Sequence, residues 1–147
     1  MKVEIVDARF EHVVYLVENL RLHERLLYAK ALGPDLERMV VKEISDSVVA
    51  WAGLGDGKCG ALWGVKMAGI LSDSGVMWML GGRLIDEHPL IFLRHSKRAL
   101  NDLRGTFKSL QGCVLTEYSQ SQRWLEWLGF KIGPDQGGIS YCEYRFP

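Results

Sequence analysis

Apolar residues recur every three or four positions in the first third of the chain, which predicts helices after a short opening strand at 3–8. The apolar face of the first helix consists of Phe10, Val13, Val14, Val17 and Leu20. A second helix is predicted from His23 to Leu32, where a Gly-Pro pair stops it. A third segment with one apolar side begins at Asp35.

The middle of the chain changes to strand patterns. Continuous apolar runs predict strands at Val48–Leu54, Cys59–Ala68 and Val76–Leu80. An Asp-Gly pair lies between the first two runs and is a strong signal for a tight hairpin. Three adjacent strands joined by short loops predict an antiparallel meander, and runs this apolar predict burial on both faces of the sheet.

The last third of the chain returns to helical spacing and ends in strands. A long helix is predicted from Pro89, because proline suits a first helical turn, and Gly105 closes it. The elements that follow are a short strand at 113–116, a helix at 119–128, and closing strands at 130–132 and 141–146 around a glycine-rich loop.

Length and charge exclude several classes of protein. With 147 residues and 48% hydrophobic content, the chain has the size and composition of one globular domain, 1–147. Basic and acidic residues number 18 each, so no overall field attracts nucleic acid or an anionic membrane. No window approaches the roughly 20 apolar residues of a membrane span, and the N-terminus lacks a signal-peptide core. We expect a cytoplasmic protein; the sequence does not indicate its oligomeric state.

The three cysteines are Cys59, Cys113 and Cys142. They form no Cys-x-x-Cys pair and show no metal-ligand spacing with the four histidines. Free cysteines are usually buried, so the sequence predicts buried thiols and no metal site.

The order of these elements resembles the GNAT (GCN5-related N-acetyltransferase) plan over almost the whole chain. Ser121–Phe130 is similar to the helix that ends in Leu-Gly-Phe before the last hairpin of these enzymes. Further stretches resemble the GNAT-like internal virion or assembly proteins of short-tailed phages, namely Ala61–Val65, Trp78–Leu80 followed by Phe92–Ser96, and Arg123–Leu125. The resemblance implies an α/β (α+β) fold, a mixed and mostly antiparallel sheet of about seven strands flanked by about four helices.

The resemblance also implies an acetyl-CoA site. In the family the cofactor lies between the strand before the long helix and the next strand, with its pyrophosphate on backbone N–H groups at the helix start. Carried onto this chain, the residues that would bind the cofactor or its phosphates are Trp78, Met79, Leu80, Gly81, Gly82, Arg83 and Arg94.

The phosphate turn departs from the family pattern. Enzymatic members usually carry the motif Arg/Gln-x-x-Gly-x-Gly/Ala in this turn. In residues 81–88 of this chain the glycines come earlier than in that motif. Asp86 and Glu87 occupy the positions where the phosphates should lie. Like charges about 4 Å apart repel by ~1 kcal/mol even in water. The same carboxylates would stabilise a helix start if they pointed outward. The basic run 94–98 allows two interpretations, a contact with phosphates or an acidic partner, or a solvated helix face.

The acid–base groups implied by the resemblance are sparse. The tyrosine that often protonates the leaving thiolate corresponds to Leu125, and Tyr118 replaces an asparagine that commonly opens this segment. The nearest carboxylate for a general base is Glu117. Tyr118 and Glu117 are therefore the catalytic candidates, although no pair of titratable groups with separated pKa values is visible.

Two functions stay open. The first is an acetyl-CoA-dependent N-acyltransferase, in which an amine attacks the thioester directly. The second is a non-catalytic GNAT-like protein that binds a phage structural protein during particle assembly, or a host protein. The altered glycine turn, the absent tyrosine and the helix with Trp124 and Trp127 favour the second. Whether the chain is an enzyme is undecided by its sequence.

Overall fold

The computed structural model describes residues 1–26 and 35–147. The strands are β1 (Val3–Asp7), β2 (Val49–Gly55), β3 (Lys58–Met67), β4 (Ser74–Gly81), β5 (Ser109–Leu115), β6 (Lys131–Gln136) and β7 (Ile139–Arg145). The helices are α1 (Phe10–Glu18), α2 (Leu36–Asp46), α3 (Arg83–Glu87), α4 (Pro89–Asn101) and α5 (Ser119–Leu128), and residues 22–26 are also helical. None of the helices within the described ranges is long and apolar enough to cross a membrane.

The strands form one seven-stranded sheet in the order β1-β2-β3-β4-β5-β7-β6. The pairs β1–β2, β2–β3, β5–β7 and β6–β7 are antiparallel. β4 and β5 are parallel, and Ser74–Val76 lie opposite Ser109–Gln111. The predicted mixed, mostly antiparallel sheet with flanking helices is confirmed.

The chain divides into two compact units, the first made of Met1–Lys66 with Trp78–Leu93 and the second of Met67–Met77 with Arg94–Pro147. The expectation of a single domain stays a prediction. The first unit has an apolar core in which Ala52 and Leu62 pair across β2 and β3. Val13 and Leu16 of α1 belong to the same core, as their helical spacing predicts.

A tryptophan of β4 is fixed in the first unit by its indole nitrogen. The Nε1–H of Trp78 donates to Ser47 Oγ at 2.7 Å, and this hydroxyl donates to the Glu43 carbonyl at 2.6 Å. Gly64 on β3 makes room for the indole, since a Cβ there would lie 2.8 Å from Trp78 Nε1 and 2.6 Å from the Val49 carbonyl oxygen. The ring is therefore part of the core.

In the second unit, α5 ends as its Leu-Gly-Phe sequence predicts. Gly129 has φ 110°, a left-handed conformation, and its N–H donates to the Leu125 carbonyl at 3.1 Å. A Cβ on Gly129 would also lie 2.9 Å from the Tyr144 ring. Phe130 is buried, and its ring centroid lies 5.3 Å from that of Tyr144. The glycine thus lets the chain turn from α5 into β6 against β7.

Several predicted boundaries were wrong. The short helix α3 was not predicted, and β5 begins at Ser109 rather than at 113. β6 continues to Gln136 through the predicted loop, with an irregular register between Ile132 and Asp135. Its proline is tolerated because β6 lies at the edge of the sheet. Of the predicted second helix, residues 27–32 lie outside the described residues.

The prediction of buried thiols holds for two cysteines and is wrong for the third. Cys59 and Cys142 are buried, and burial raises the pKa of each thiol to about 12. Cys113 is exposed. It lies on β5 opposite the exposed Tyr141 of β7, so the two share the solvent-facing side of this strand pair.

Candidate functional site

The turn at the end of β4 is the region where the sequence predicts phosphate contacts. β4 ends at Gly81, and Gly82 has an extended backbone before α3 begins. A Cβ on Gly82 would lie 2.7 Å from a methyl carbon of Leu16 and 3.1 Å from the Asn19 carbonyl oxygen. The glycine is therefore required because the end of α1 comes so close to this turn.

Backbone groups of this turn bond to the segment that follows α1. Leu20 and Gly82 form an antiparallel bridge. The Arg83 N–H donates to the Asn19 carbonyl at 2.9 Å, and the Gly81 carbonyl accepts from the Arg21 N–H at 3.3 Å. The Gly82 N–H donates in the other direction, to a carbonyl of β3 at 2.9 Å. The turn is thus held from both sides by protein acceptors and donors.

A buried ion pair completes the closure of the turn. The Glu24 carboxylate pairs with the Arg21 guanidinium and accepts from the Gly81 N–H. The Arg21 and Glu24 side chains are 11% and 9% exposed. His23 Nε2 lies 3.7 Å from Glu24 Oε1, and Arg21 Nη1 lies 3.5 Å from Asp86 Oδ1. We call Arg21, His23, Glu24 and Asp86 the Arg21–Glu24 cluster.

Burial perturbs the titration of this cluster. It raises the pKa of Glu24, and the charge and hydrogen bond of Arg21 and the N–H of Gly81 act in the opposite direction. It lowers the pKa of His23, an effect to which the Arg21 guanidinium adds. Two neighbouring groups therefore have their pKa values shifted in opposite directions, a pattern that the sequence did not reveal.

The residues of this turn do not fit the pyrophosphate of acetyl-CoA. A phosphate site of this kind needs N–H groups free to donate, and those of Gly81, Gly82 and Arg83 already donate to Glu24 and to backbone carbonyls. The Glu24 carboxylate already accepts from the Gly81 N–H, so an incoming anion would have to displace it.

The predicted cofactor residues on β4 have mixed surroundings. Trp78 and Leu80 are buried in the core of the first unit, and Met79 between them is half-buried. The parallel register with β5 covers Ser74–Val76, and β4 continues to Gly81. Trp78 and Leu80 thus contribute to the core through their side chains.

The two predicted phosphate-binding arginines are both exposed but belong to different units. Arg83 lies in the first unit, where its Nη2 donates to Asn19 Oδ1 at 2.7 Å. Arg94 lies on α4 in the second unit. Part of the Arg83 guanidinium therefore faces solvent beside the turn, whereas the backbone N–H groups of Gly81, Gly82 and Arg83 are already bonded.

The two catalytic candidates follow β5 in the second unit. Glu117 is exposed, and Tyr118 is half-buried directly before α5, where its N–H donates to the Leu115 carbonyl at 3.1 Å. Leu125, which occupies the position of the family tyrosine, is 4% exposed in the core. Placing a phenol there would require the core to rearrange.

A hydroxyl and carboxylate network beside these candidates was not predicted. Thr116 Oγ1 donates to Asp135 Oδ1 at 2.8 Å and lies 2.8 Å from Ser140 Oγ. The Gly138 N–H donates to the same Asp135 oxygen at 2.9 Å. Asp135, Gly137 and Gly138 belong to the predicted glycine-rich loop, and an Asp shortly before a glycine pair is also a signal for a turn around a carboxylate.

Comparison with known proteins identifies the fold. No protein-family model matches the chain, and no curated protein does. Among solved structures, the GNAT-family acetyltransferase from Streptococcus pneumoniae is 14% identical with a TM-score of 0.64, covering 99% of this chain and 100% of that one. The PaiA N-acetyltransferase from Thermoplasma acidophilum, determined in complex with coenzyme A, is 13% identical with a TM-score of 0.69 over 99% and 100%. The chain has the GNAT acetyltransferase fold.

The GNAT domain of S. lividans PAT extends the same comparison, at 17% identity and a TM-score of 0.69 over 98% of this chain and 89% of that one. The resemblance predicted from the order of elements is confirmed as a likeness of fold. On this GNAT fold, the end of β4 lies against the buried Arg21–Glu24 ion pair, whereas the end of β5 presents the exposed Glu117 and the half-buried phenol of Tyr118.

Proposed function

We propose that this chain is an acyl-CoA N-acyltransferase-like protein of the GNAT fold in which the phosphate contacts at the end of β4 have been replaced by protein contacts. The observation that carries the proposal is the likeness, over nearly the whole chain, to N-acetyltransferases such as one solved with coenzyme A. The reaction class is transfer of an acyl group from a CoA thioester to an amine. One fold can host many functions, so the experiment below tests the site itself.

In this proposal the phosphates depend on an exposed cation because the turn backbone is not available. Arg83 is the exposed cation of this turn, oriented by Asn19. A guanidinium can donate to a phosphate through several N–H groups at once. Glu117 and Tyr118 remain the proposed acid–base candidates at the end of β5.

A thermal-shift titration with acetyl-CoA tests the proposal. A ligand at roughly 100 times its Kd adds about 2.7 kcal/mol to the free energy of unfolding. For a chain of this length, that raises Tm by about 5–10 °C. Arg83→Ala should shift the titration to higher acetyl-CoA concentrations, whereas Arg38→Ala, an exposed arginine of α2, should not.

Turnover is measured with polyamines, amino acids and peptide N-termini as acceptors. The released CoA is detected by mass spectrometry, because the exposed Cys113 would itself react with the thiol dyes that are commonly used for CoA. A chain that remains folded and shows no thermal shift at millimolar acetyl-CoA would exclude the acyl-CoA function.

A second candidate function is favoured by the closed turn and by exposed apolar side chains. We propose as the alternative a non-catalytic protein that binds a phage structural or host protein. In the second unit Ile70 and Leu71 are 97% and 99% exposed, and Trp127 is 47% exposed with Lys97 Nζ 4.4 Å from its ring centroid. Exposed apolar residues of this size favour a contact surface. Mass spectrometry of purified particles from an encoding phage tests this alternative, and absence from the particle contradicts the structural role.

A further inference from the structure

The exposed side of α4 carries positive charge without acids to balance it. Arg94, Lys97 and Arg98 lie in this helix, which contains no acidic residue. All three are exposed, and their spacing of three and four places them on one face of the helix. Among the residues that the structure describes, none of the three has an ion-pair partner, whereas the exposed Lys108 pairs with Asp73 at 3.5 Å. The charge of this face is therefore not neutralised by a direct contact with an acid.

A half-exposed tryptophan of α5 lies beside this basic face. Trp127 is 47% exposed, and Lys97 Nζ lies 4.4 Å from the centroid of its ring. The neighbouring Trp124 joins the two helices, since its Nε1–H donates to Ser96 Oγ at 3.2 Å. These residues all belong to the second unit. We call the exposed residues Arg94, Lys97, Arg98 and Trp127 the α4–α5 surface.

A solvated helix face explains the cations but not the tryptophan. Basic residues on exposed helix faces are common and need no partner. An indole that stays half-exposed forgoes the free energy that burial of its apolar surface would give. Tryptophan and arginine are also the residues most enriched where the binding energy of protein interfaces is concentrated. Their combination on one surface favours an interface with another protein.

The charge of the α4–α5 surface selects the chemistry of the partner. Complementary potentials guide association, so cations without acids favour a partner rich in carboxylates. A nucleic acid fits less well, because it needs an extended basic track along its phosphates. The chain has 18 basic and 18 acidic residues, and the exposed Asp102 and Glu126 adjoin this surface in sequence. These acids limit the basic area to a few side chains, which suits a short acidic segment.

We propose that the α4–α5 surface binds an acidic segment of a partner protein. Carboxylates of the segment contact Arg94 and Arg98, whose guanidinium groups can each donate two parallel hydrogen bonds to a carboxylate. An apolar side chain of the segment covers the exposed part of the Trp127 ring. This inference deepens the second candidate function, on which it rests, by naming the chemistry of the partner. It is independent of the β4 turn and of acyl-CoA binding.

Fluorescence anisotropy with the full chain tests the proposal, with a short labelled peptide of glutamates around one phenylalanine as the probe. Two matched peptides replace the phenylalanine by glycine or the glutamates by lysines. The native chain should bind the first peptide roughly tenfold or more tightly than either matched peptide, because these remove the apolar contact or reverse the charge. Binding should weaken as salt is added.

Variants of the chain locate the binding surface. Arg98→Glu and Trp127→Ala should each weaken binding of the glutamate peptide by roughly tenfold. The matched controls are Arg38→Glu, which reverses an exposed charge of α2, and Tyr141→Ala, which removes an exposed aromatic ring of β7. Both controls should bind like the native chain. If melting curves show that Trp127→Ala is unfolded, Arg98→Glu still decides the outcome, because it changes only an exposed side chain.

Three results would overturn the proposal. The first is equal binding, or no binding, of the three peptides to the native chain. The second is undiminished binding of the glutamate peptide to Arg98→Glu. The third is single-stranded DNA that binds the same surface more tightly than the peptide does, which would make nucleic acid the ligand. A chain that is found in purified phage particles but does not bind the glutamate peptide would reject this surface and keep the second candidate function, so the two fail separately.

Discussion

Removing one partner of the buried ion pair should destabilise the fold strongly. Arg21→Met keeps much of the side-chain length but leaves the Glu24 carboxylate buried without its cation. Because both side chains are about nine-tenths buried, the scale for a buried pair applies, and truncation of one partner costs about 3–5 kcal/mol. Lys42→Met is the matched control, since its partner Asp46 lies at 2.8 Å on the exposed face of α2.

Thermal and denaturant unfolding measure this loss. For a domain of this length each kcal/mol lowers Tm by about 2–4 °C, so Arg21→Met should lower Tm by about 6–20 °C. Lys42→Met should leave Tm close to that of the native chain, because exposed pairs contribute little. The double variant Arg21→Met with Glu24→Leu should recover most of the loss, since it removes both buried charges.

Two results would refute this reasoning. If Arg21→Met costs less than about 1 kcal/mol, the value typical of a surface pair, the carboxylate is not held in a desolvated environment. If the double variant is as unstable as Arg21→Met alone, the loss comes from side-chain volume, and the coupling between the two charges is absent.

Three further outcomes follow. Burial and the nearby Arg21 guanidinium lower the pKa of His23 below its ordinary 6.5. The unfolded chain therefore binds more protons at this residue, so the free energy of unfolding decreases as the pH falls below about 6.5. The variant His23→Gln should flatten this part of the curve of Tm against pH. Gly64→Ala should cost about 1–3 kcal/mol in chemical denaturation, because its Cβ would lie 2.6 Å from a carbonyl oxygen; an unchanged midpoint contradicts this. The native chain should show one fast thiol toward a disulfide reagent, which Cys113→Ser removes, while Cys59 and Cys142 react on unfolding.

The sequence predicts well those features that depend on neighbouring residues. The Leu-Gly-Phe end of α5 is a local signal, since Gly129 must adopt a left-handed conformation whatever lies nearby. The apolar face of α1 and the meander of β2 to β4 follow from spacing alone. These features sufficed to indicate the order of elements and hence the fold.

The surroundings of the β4 turn could not be predicted, because they depend on contacts between distant parts of the chain. Gly81 and Gly82 suggested a displaced phosphate turn, yet the structure shows that they accommodate Arg21, Glu24 and Leu16. An Arg and a Glu three residues apart at the start of a helix are an ordinary surface pattern. Nothing local indicates that this pair is buried against a strand end.

Exposure of Cys113 could have been derived from a correct strand start. In the middle of β5, Leu110 and Val114 are buried and Gln111 and Cys113 are exposed, while the end residues Ser109 and Leu115 are both buried. This is the two-residue alternation of a half-buried strand. A strand predicted from 113 is too short to show the alternation, so the burial of Cys113 is predicted only from its residue type.

The bridge between Leu20 and Gly82 has a practical meaning for protein design. An engineer who grafted a glycine-rich nucleotide-cofactor loop onto residues 81–88 would leave its amide groups engaged by the stretch after α1. Freeing those amide groups for a cofactor would then require simultaneous changes at two places about sixty positions apart in the sequence. A library meant to add backbone contacts to phosphate should therefore randomise both stretches together.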